Sequence, residues 1–266
     1  MRRAALAALE RDSLLAEAHG QLALVRMLQE WDWDGAERSY RRALEISPGH
    51  AQIRHDCAHF LLGQGRQTES MEQTREAVAL DPANPMLISC LDWHSLFDGK
   101  YDDAVRHATE ANAMMPAHWA HVVLGWALLG QGKAGSALVS FREAYRLSGS
   151  AFTQAVLGHG LAAAGDSRGA QQVLATLLRR VEDEYVSPYD IATVYAGLGD
   201  ADGTFKWLRR AAEERSTFIV HLGWDSRFDR VCDDPRFAEL LTQEMKLPLR
   251  RVVAAMPAAH RPEVSP

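Results

Sequence analysis

Small residues recur along the chain at a fixed interval, and that interval limits what the chain can fold into more than any other feature. Ala36, Ser70, Ala104, Ala137 and Ala170 stand 34, 34, 33 and 33 residues apart, and Ala43, Ala77, Ala111 and Ala144 follow in step at 34, 34 and 33. Pro48, Pro82 and Pro116 keep the same interval, each closing an amphipathic stretch: RRALEISP, REAVALDP and TEANAMMP. A period of this length marks a stack of two-helix units, none of which can bury its apolar face without a neighbour. The pattern predicts helix pairs over 16–30 and 34–46, 51–63 and 67–80, 85–97 and 101–114, 118–130 and 134–147, 151–164 and 167–182, and 188–198 and 201–214. Glycine-containing breaks such as Gly63-Gln-Gly65, Gly130-Gln-Gly132 and Gly165-Asp166 fall between them. No strand is required.

Within the period, the fourth unit reads Leu124, Gly125, Leu128, then Ala137, Phe141 and Ala144. The fifth has Leu157, Gly158, Leu161, Ala170 and Leu174, and the sixth Ala192, Tyr195, Leu208 and Ala211. The small residue of the first helix lets it lie close to the second, and proline stops the second helix before the next unit. This set resembles the tetratricopeptide repeat. The resemblance implies an all-α, right-handed superhelical solenoid of about six helix pairs. An N-terminal half repeat at 2–11 and C-terminal capping helices complete it. The expected division is a superhelix over 1–222, capping helices over 223–247 and a disordered tail over 248–266. The stretches EWDWDGAERSYRRALEISP, YVSPYDIATVYAGLGD and DSRFDRVCDDPRFAELL resemble the repeat region that follows winged-helix, serine/threonine kinase or nucleotide cyclase domains in bacterial signalling proteins. No glycine-rich phosphate loop, HRD or DFG is present, so those activities do not carry over.

Composition removes other classes. With 47% apolar and 24% charged residues the 266-residue chain can bury a core, and a formal charge of -6 argues against nucleic-acid binding by this chain alone. Cys57, Cys90 and Cys232 are too few and too far apart for a disulfide framework or a paired CxxC zinc site. Glu10, Arg11 and Asp12 interrupt the N-terminal apolar stretch before a signal-peptide core is reached, and no run is long enough to span a bilayer. A cytoplasmic setting with no membrane partner is expected.

Candidate chemistry is sparse. His55 and His59 are spaced i, i+4 in HDCAH, a spacing that can hold a metal, but Asp56 stands where a zinc protease carries Glu. The neighbouring groove positions Gly20, Leu24, Ser89 and Trp93 supply no third ligand. No metal and no cofactor are therefore expected, and a metal-dependent hydrolase built on His55, His59 and Asp56 remains the alternative function. Asp92, His94 and Ser95 lie too close along one helix to converge as a triad. Asp92 occupies the small-residue position held later by Gly125 and Gly158, where a carboxylate either loses solvent or tilts out to water.

In this repeat, positions 2, 5 and 9 of each first helix line the concave groove. They are Gln52, His55 and His59; Met86, Ser89 and Trp93; Trp119, Val122 and Trp126; Phe152, Ala155 and His159; and Val186, Tyr189 and Thr193. Lys, Arg and Asn, which clamp acidic peptide tails in this repeat family, are missing from these positions. The expected function is a non-enzymatic scaffold that binds a protein or peptide partner of apolar or amphipathic character, or a second copy of itself. Its groove contacts would be Trp119, Trp93, Trp126, Phe152, Met86, His55, His59, His159 and Tyr189. Trp93 and Trp126 have a second reading as packing between repeats, and Trp119 is expected to be the exposed ring. The histidines are expected to charge below about pH 6.5.

Overall fold

Several helices start where a short polar side chain takes up a free backbone amide. In the computed structural model, which describes residues 1–114 and 117–249, Asn84 accepts from the Met86 amide ahead of Pro85, Asp166 from Gly169 and Asp200 from Gly203. The resulting order is α1 (Arg2–Arg11), α2 (Ala16–Val25), α3 (Trp33–Ile46), α4 (Ala51–Gly63), α5 (Gln67–Leu80), α6 (Pro85–Phe97) and α7 (Tyr101–Met114). It continues through α8 (His118–Gly130), α9 (Ala134–Ser148), α10 (Ala151–Ala163), α11 (Ser167–Arg180), α12 (Pro188–Leu198) and α13 (Ala201–Glu213). Among the described residues there is no strand, and the successive pairs α2 and α3 through α12 and α13 pack as an all-α solenoid. The first unit departs slightly: α2 runs into a π turn over Arg26–Glu30 that ends at Trp31 in the left-handed region (φ 53). Pro116 and residues 250–266, most of the expected tail, lie outside the described residues.

The periodic small residues do what their spacing predicts. Ala36, Ser70, Ala104, Ala137 and Ala170 are all fully buried, as are Ala43 and Ala144. Phe141 fills the space left by two glycines, since a Cβ on Gly125 of its own unit or on Gly160 of the next would collide with its ring. Ring and glycines therefore set the spacing between consecutive units.

Past α13 the helical period stops, and the chain does more than cap the last pair. A 3-10 helix over Thr217–Trp224 and another over Ser226–Val231 lead to α14 (Pro235–Glu239) and a π turn at Leu240–Glu244. Asp234 caps α14 and Pro235 opens it. Ile219, Leu222, Phe228 and Leu240 join the core of α12 and α13, but the same segment also runs up the concave side of the solenoid. Val220 packs with Tyr40, Ile53 and Phe60 of the first units, and Gly63 leaves room for the Val220 carbonyl, which a Cβ would meet at 2.8 Å. Gly65, at φ +75, lies so close to the Trp224 indole that a side chain there would strike it. Trp33 Nε1 donates to the Met245 carbonyl at 2.8 Å, and Arg215 Nε to the Gln29 carbonyl at 3.2 Å with its guanidinium over the Trp31 ring. Besides packing on the last pair, the segment therefore also reaches into the groove.

A buried ion pair holds the segment there. Arg227 Nε donates to both Asp225 oxygens at 2.8 and 2.9 Å, the Tyr189 hydroxyl donates to Asp225 at 2.7 Å, and the guanidinium lies 4.5 Å from the Trp126 ring centre. Arg227 holds the Asp225 carboxyl below its usual range even though burial opposes ionisation. Removing one member would strand the other charge. Arg227→Leu should therefore cost about 3–5 kcal/mol of stability, read as a lower urea midpoint, whereas the exposed Arg106→Leu should change it by well under about 1 kcal/mol.

Asp92 is resolved in favour of burial. It is 0% exposed, neither carboxylate oxygen has a hydrogen-bond partner, and burial pushes its pKa well above the usual carboxylate range. The unfolded carboxyl ionises near pH 3.9 while the folded one keeps its proton, so rising pH favours the unfolded state. Asp92→Ala should raise stability at pH 7 by about 1–3 kcal/mol. The gain should shrink as pH falls through 4, and urea unfolding at several pH values would show whether it does.

Candidate functional site

The first helices of successive units bring the groove residues into columns, and the inserted segment decides which remain open. Phe218 stacks on Trp119 and Phe152, with ring centres 6.3 and 6.0 Å apart, and lies 6.0 Å from Trp93. Trp93 is 2% exposed and contacts Phe97, Trp119 and Trp126, so its packing role is established. Trp126 and Tyr189 are buried against Arg227. His159 is buried as well, close enough to Arg227 and Asp225 to feel both charges. Trp119, expected to be the exposed ring, is half-buried between Trp93, Phe152 and Phe218.

What stays open is a pocket of about 370 Å³ at the mouth of the groove, lined by His55, His59, Met86, Ser89, Cys90, Trp93, Trp119 and Phe218. Its lining is chiefly apolar, and Met86, 46% exposed, stands at its rim. Five of the nine residues expected to contact a ligand line it: Trp119, Trp93, Met86, His55 and His59. Phe152 reaches it only through its stacking on Trp119 and Phe218, while Trp126, His159 and Tyr189 serve the buried pair instead. Phe218 belongs to the pocket although no repeat position predicts it, because it arrives from the non-periodic segment.

One wall of this pocket carries a cluster of imidazoles. His55 and His59 project from α4, Cys90 and His94 from α6, and His221 from the inserted 3-10 helix. Cys90 Sγ lies 2.9 Å from His55 Nδ1 and 3.7 Å from His59 Nε2, and the His59 ring centre is 4.7, 5.0 and 5.8 Å from those of His55, His94 and His221. His94 Nδ1 pairs with Ser70 Oγ at 2.6 Å while its Nε2 is buried without a partner, as is His221 Nδ1. Asp92 makes no hydrogen bond to His94, so the triad reading has no geometry behind it. Asp56 stands 4.0 Å from His55 Nε2 and accepts from Gln52 at 2.9 Å.

Burial corrects the expected charge state. It lowers His55, His159 and His221 to about 4 and His94 to about 3, and His59 falls well below its usual value because its imidazole neighbours add to the desolvation. The groove histidines stay neutral through pH 5, and protonation below pH 6.5 acts on the unfolded chain instead, reducing stability as the medium acidifies. Asp56 is pushed up to about 6, mainly by burial. Sequence reasoning also missed Cys90 as a donor. Cys90 and His94 have the same four-residue spacing as His55 and His59, but they lie one position past the groove-equivalent Ser89 and Trp93, so the repeat register did not point to them.

Comparison with known proteins gives fold relatives without close sequence relatives. No family model matches the sequence, and no curated protein matches it. Among solved structures the chain is similar to PilW, described as a widely conserved type IV pilus biogenesis factor. That match has 23% identity and a TM-score of 0.58, covering 71% of this chain and 87% of the other. It is similar to the Pseudomonas aeruginosa protein pilF at 19% identity and a TM-score of 0.54, covering 80% and 96%. It is also similar to TTC0263, a thermophilic TPR protein of Thermus thermophilus, at 19% identity and a TM-score of 0.52, covering 67% and 98%. With the repeat period, the buried small residues and the stacked helix pairs, these likenesses give the chain the fold of a tetratricopeptide-repeat protein.

Proposed function

We propose that the chain is a non-enzymatic protein-interaction scaffold that receives an apolar side chain of a partner peptide or helix in the pocket between α4, α6 and α8. The apolar pocket carries this reading. It opens on the concave face, it is walled by Trp119, Trp93 and Phe218, and it has Met86 exposed at its rim. Large rings already held by their neighbours lose little freedom when a ligand covers them, which is how aromatic anchors concentrate binding energy. An amphipathic helix lying along such a groove would place one apolar face in it and keep its charges outside. The sequence resemblance to the repeat regions of bacterial signalling proteins supports a regulatory setting for this scaffold.

A metal-dependent hydrolase built on His55, His59 and Asp56 is the weaker reading, because the Asp56 carboxylate is held by Gln52 at 2.9 Å and stands 4.0 Å from His55 Nε2.

Selection of a displayed peptide library on the immobilised chain should enrich sequences carrying one or two large apolar residues. Met86→Glu places a charge at the pocket rim on a side chain that is half exposed. Its thermal midpoint should stay within a few degrees of the parent, and it should bind the enriched peptides at least about tenfold more weakly, a loss of about 1.4 kcal/mol. Trp119→Ala is a poorer probe, since removing a ring stacked on Phe152 and Phe218 also unsettles the fold. Peptides that bind Met86→Glu as well as the parent would place the contact surface elsewhere.

A further inference from the structure

Two donor pairs from neighbouring repeats meet in space. His55 and His59 sit one turn apart on α4, and Cys90 and His94 sit one turn apart on α6, directly across the inter-repeat seam. The facing donor atoms of His55, His59 and Cys90 all lie within 4.8 Å of one another. In a tetrahedral zinc site, with Zn–S about 2.3 Å and Zn–N about 2.0–2.1 Å, donor atoms stand about 3.3–3.6 Å apart. The 3.7 Å between Cys90 Sγ and His59 Nε2 is close to that spacing, and the 2.9 Å between Cys90 Sγ and His55 Nδ1 opens to it with a small side-chain shift.

We propose that His55, His59 and Cys90 bind a single zinc ion, with its fourth position facing the pocket that these three residues line. The donor types select the ion. One thiolate with two imidazoles suits zinc, whereas magnesium and calcium need oxygen ligands, and no carboxylate belongs to this trio. Asp56, 4.0 Å from the outer nitrogen of His55, stands where an outer-shell carboxylate orients a ligating imidazole.

A second observation points the same way. Two more imidazole nitrogens, His94 Nε2 and His221 Nδ1, are buried without hydrogen-bond partners on side chains 2% and 5% exposed, and both rings surround His59. Buried polar atoms without partners leave hydrogen-bonding capacity unused, and these two flank a ligand candidate where a polar guest could be received. Binding joins the ion to two neutral imidazole nitrogens and to the Cys90 sulfur, and the thiol proton leaves to solvent.

The proposal does not rest on the scaffold reading, and Met86→Glu should leave it intact. The test is metal titration of the chelator-stripped full-length chain. Zinc should bind at one ion per chain and raise the thermal midpoint. Cobalt in its place should give the thiolate-to-cobalt charge-transfer band and the intense visible bands of a tetrahedral site. Cys90→Ser should abolish the charge-transfer band and weaken zinc binding by at least about 100-fold, whereas Cys57→Ser should preserve both. Should the serine variant lose its helical circular dichroism spectrum, Cys90→Ala and His55→Asn carry the same comparison. Absence of stoichiometric zinc uptake, a charge-transfer band that survives loss of Cys90, or uptake of copper(I) with none of zinc would overturn the assignment.

Discussion

The closed arrangement of this solenoid depends on one desolvated ion pair. Asp225 and Arg227 lie where the groove between the middle and last units would otherwise hold water, and each is acceptable there only because of the other. Tyr189 supplies a further hydrogen bond and Trp126 a ring face for the guanidinium, so the charges are satisfied on several sides. With this point fixed, Phe218, Val220 and Trp224 are carried along the concave surface to the middle and first units. The groove aromatics find their cover inside the molecule, and the pocket beside Met86 is what this covering leaves over.

The helices were legible because their packing is local and repeated. Ala36 and its counterparts each report the same close contact between two neighbouring helices, so a period read over a few units predicts the rest. The filling of the groove was not legible, for the opposite reason. Residues 217–231 have no period, and their partners Tyr40, Trp93 and Trp126 lie far back along the chain, linked to them by shape and charge with no spacing rule. The sequence could place Trp93 and Trp126 on the inner face but could not say that Phe218 and Arg227 cover them. The charge state of His55 and His159 followed the same error, since a residue on an open groove titrates normally and the same residue under a lid does not. Cys90 was not legible either, because moving the His55 and His59 pair forward by one repeat lands on Ser89 and Trp93, one position short of Cys90 and His94.

Asp92 and His94 on α6 and His221 on the inserted segment break the rule that buried polar groups find partners. Ser70 and Thr74 beside His94 are matched: Ser70 donates to the Ala58 carbonyl at 2.8 Å and Thr74 to the Ser70 carbonyl at 2.9 Å. Departures from local consistency in a well-matched chain tend to gather where function has overruled stability. Here His94 and His221 adjoin His59, which lines the pocket beside Met86, so recognition and polar mismatch meet at neighbouring residues.

The hydrogen bond from Trp33 to the Met245 carbonyl, with Arg215 against Trp31 beside it, joins the first unit to the last part of the described chain. A stack of repeats touching only their neighbours behaves as a one-dimensional array: it frays from its ends and stretches like a spring. Tying the ends together turns the spring into a hoop. Neither terminus can loosen alone, unfolding becomes a single cooperative event across all units, and the chain must close its longest loop before that cooperativity is gained, which slows folding relative to an open array of the same length.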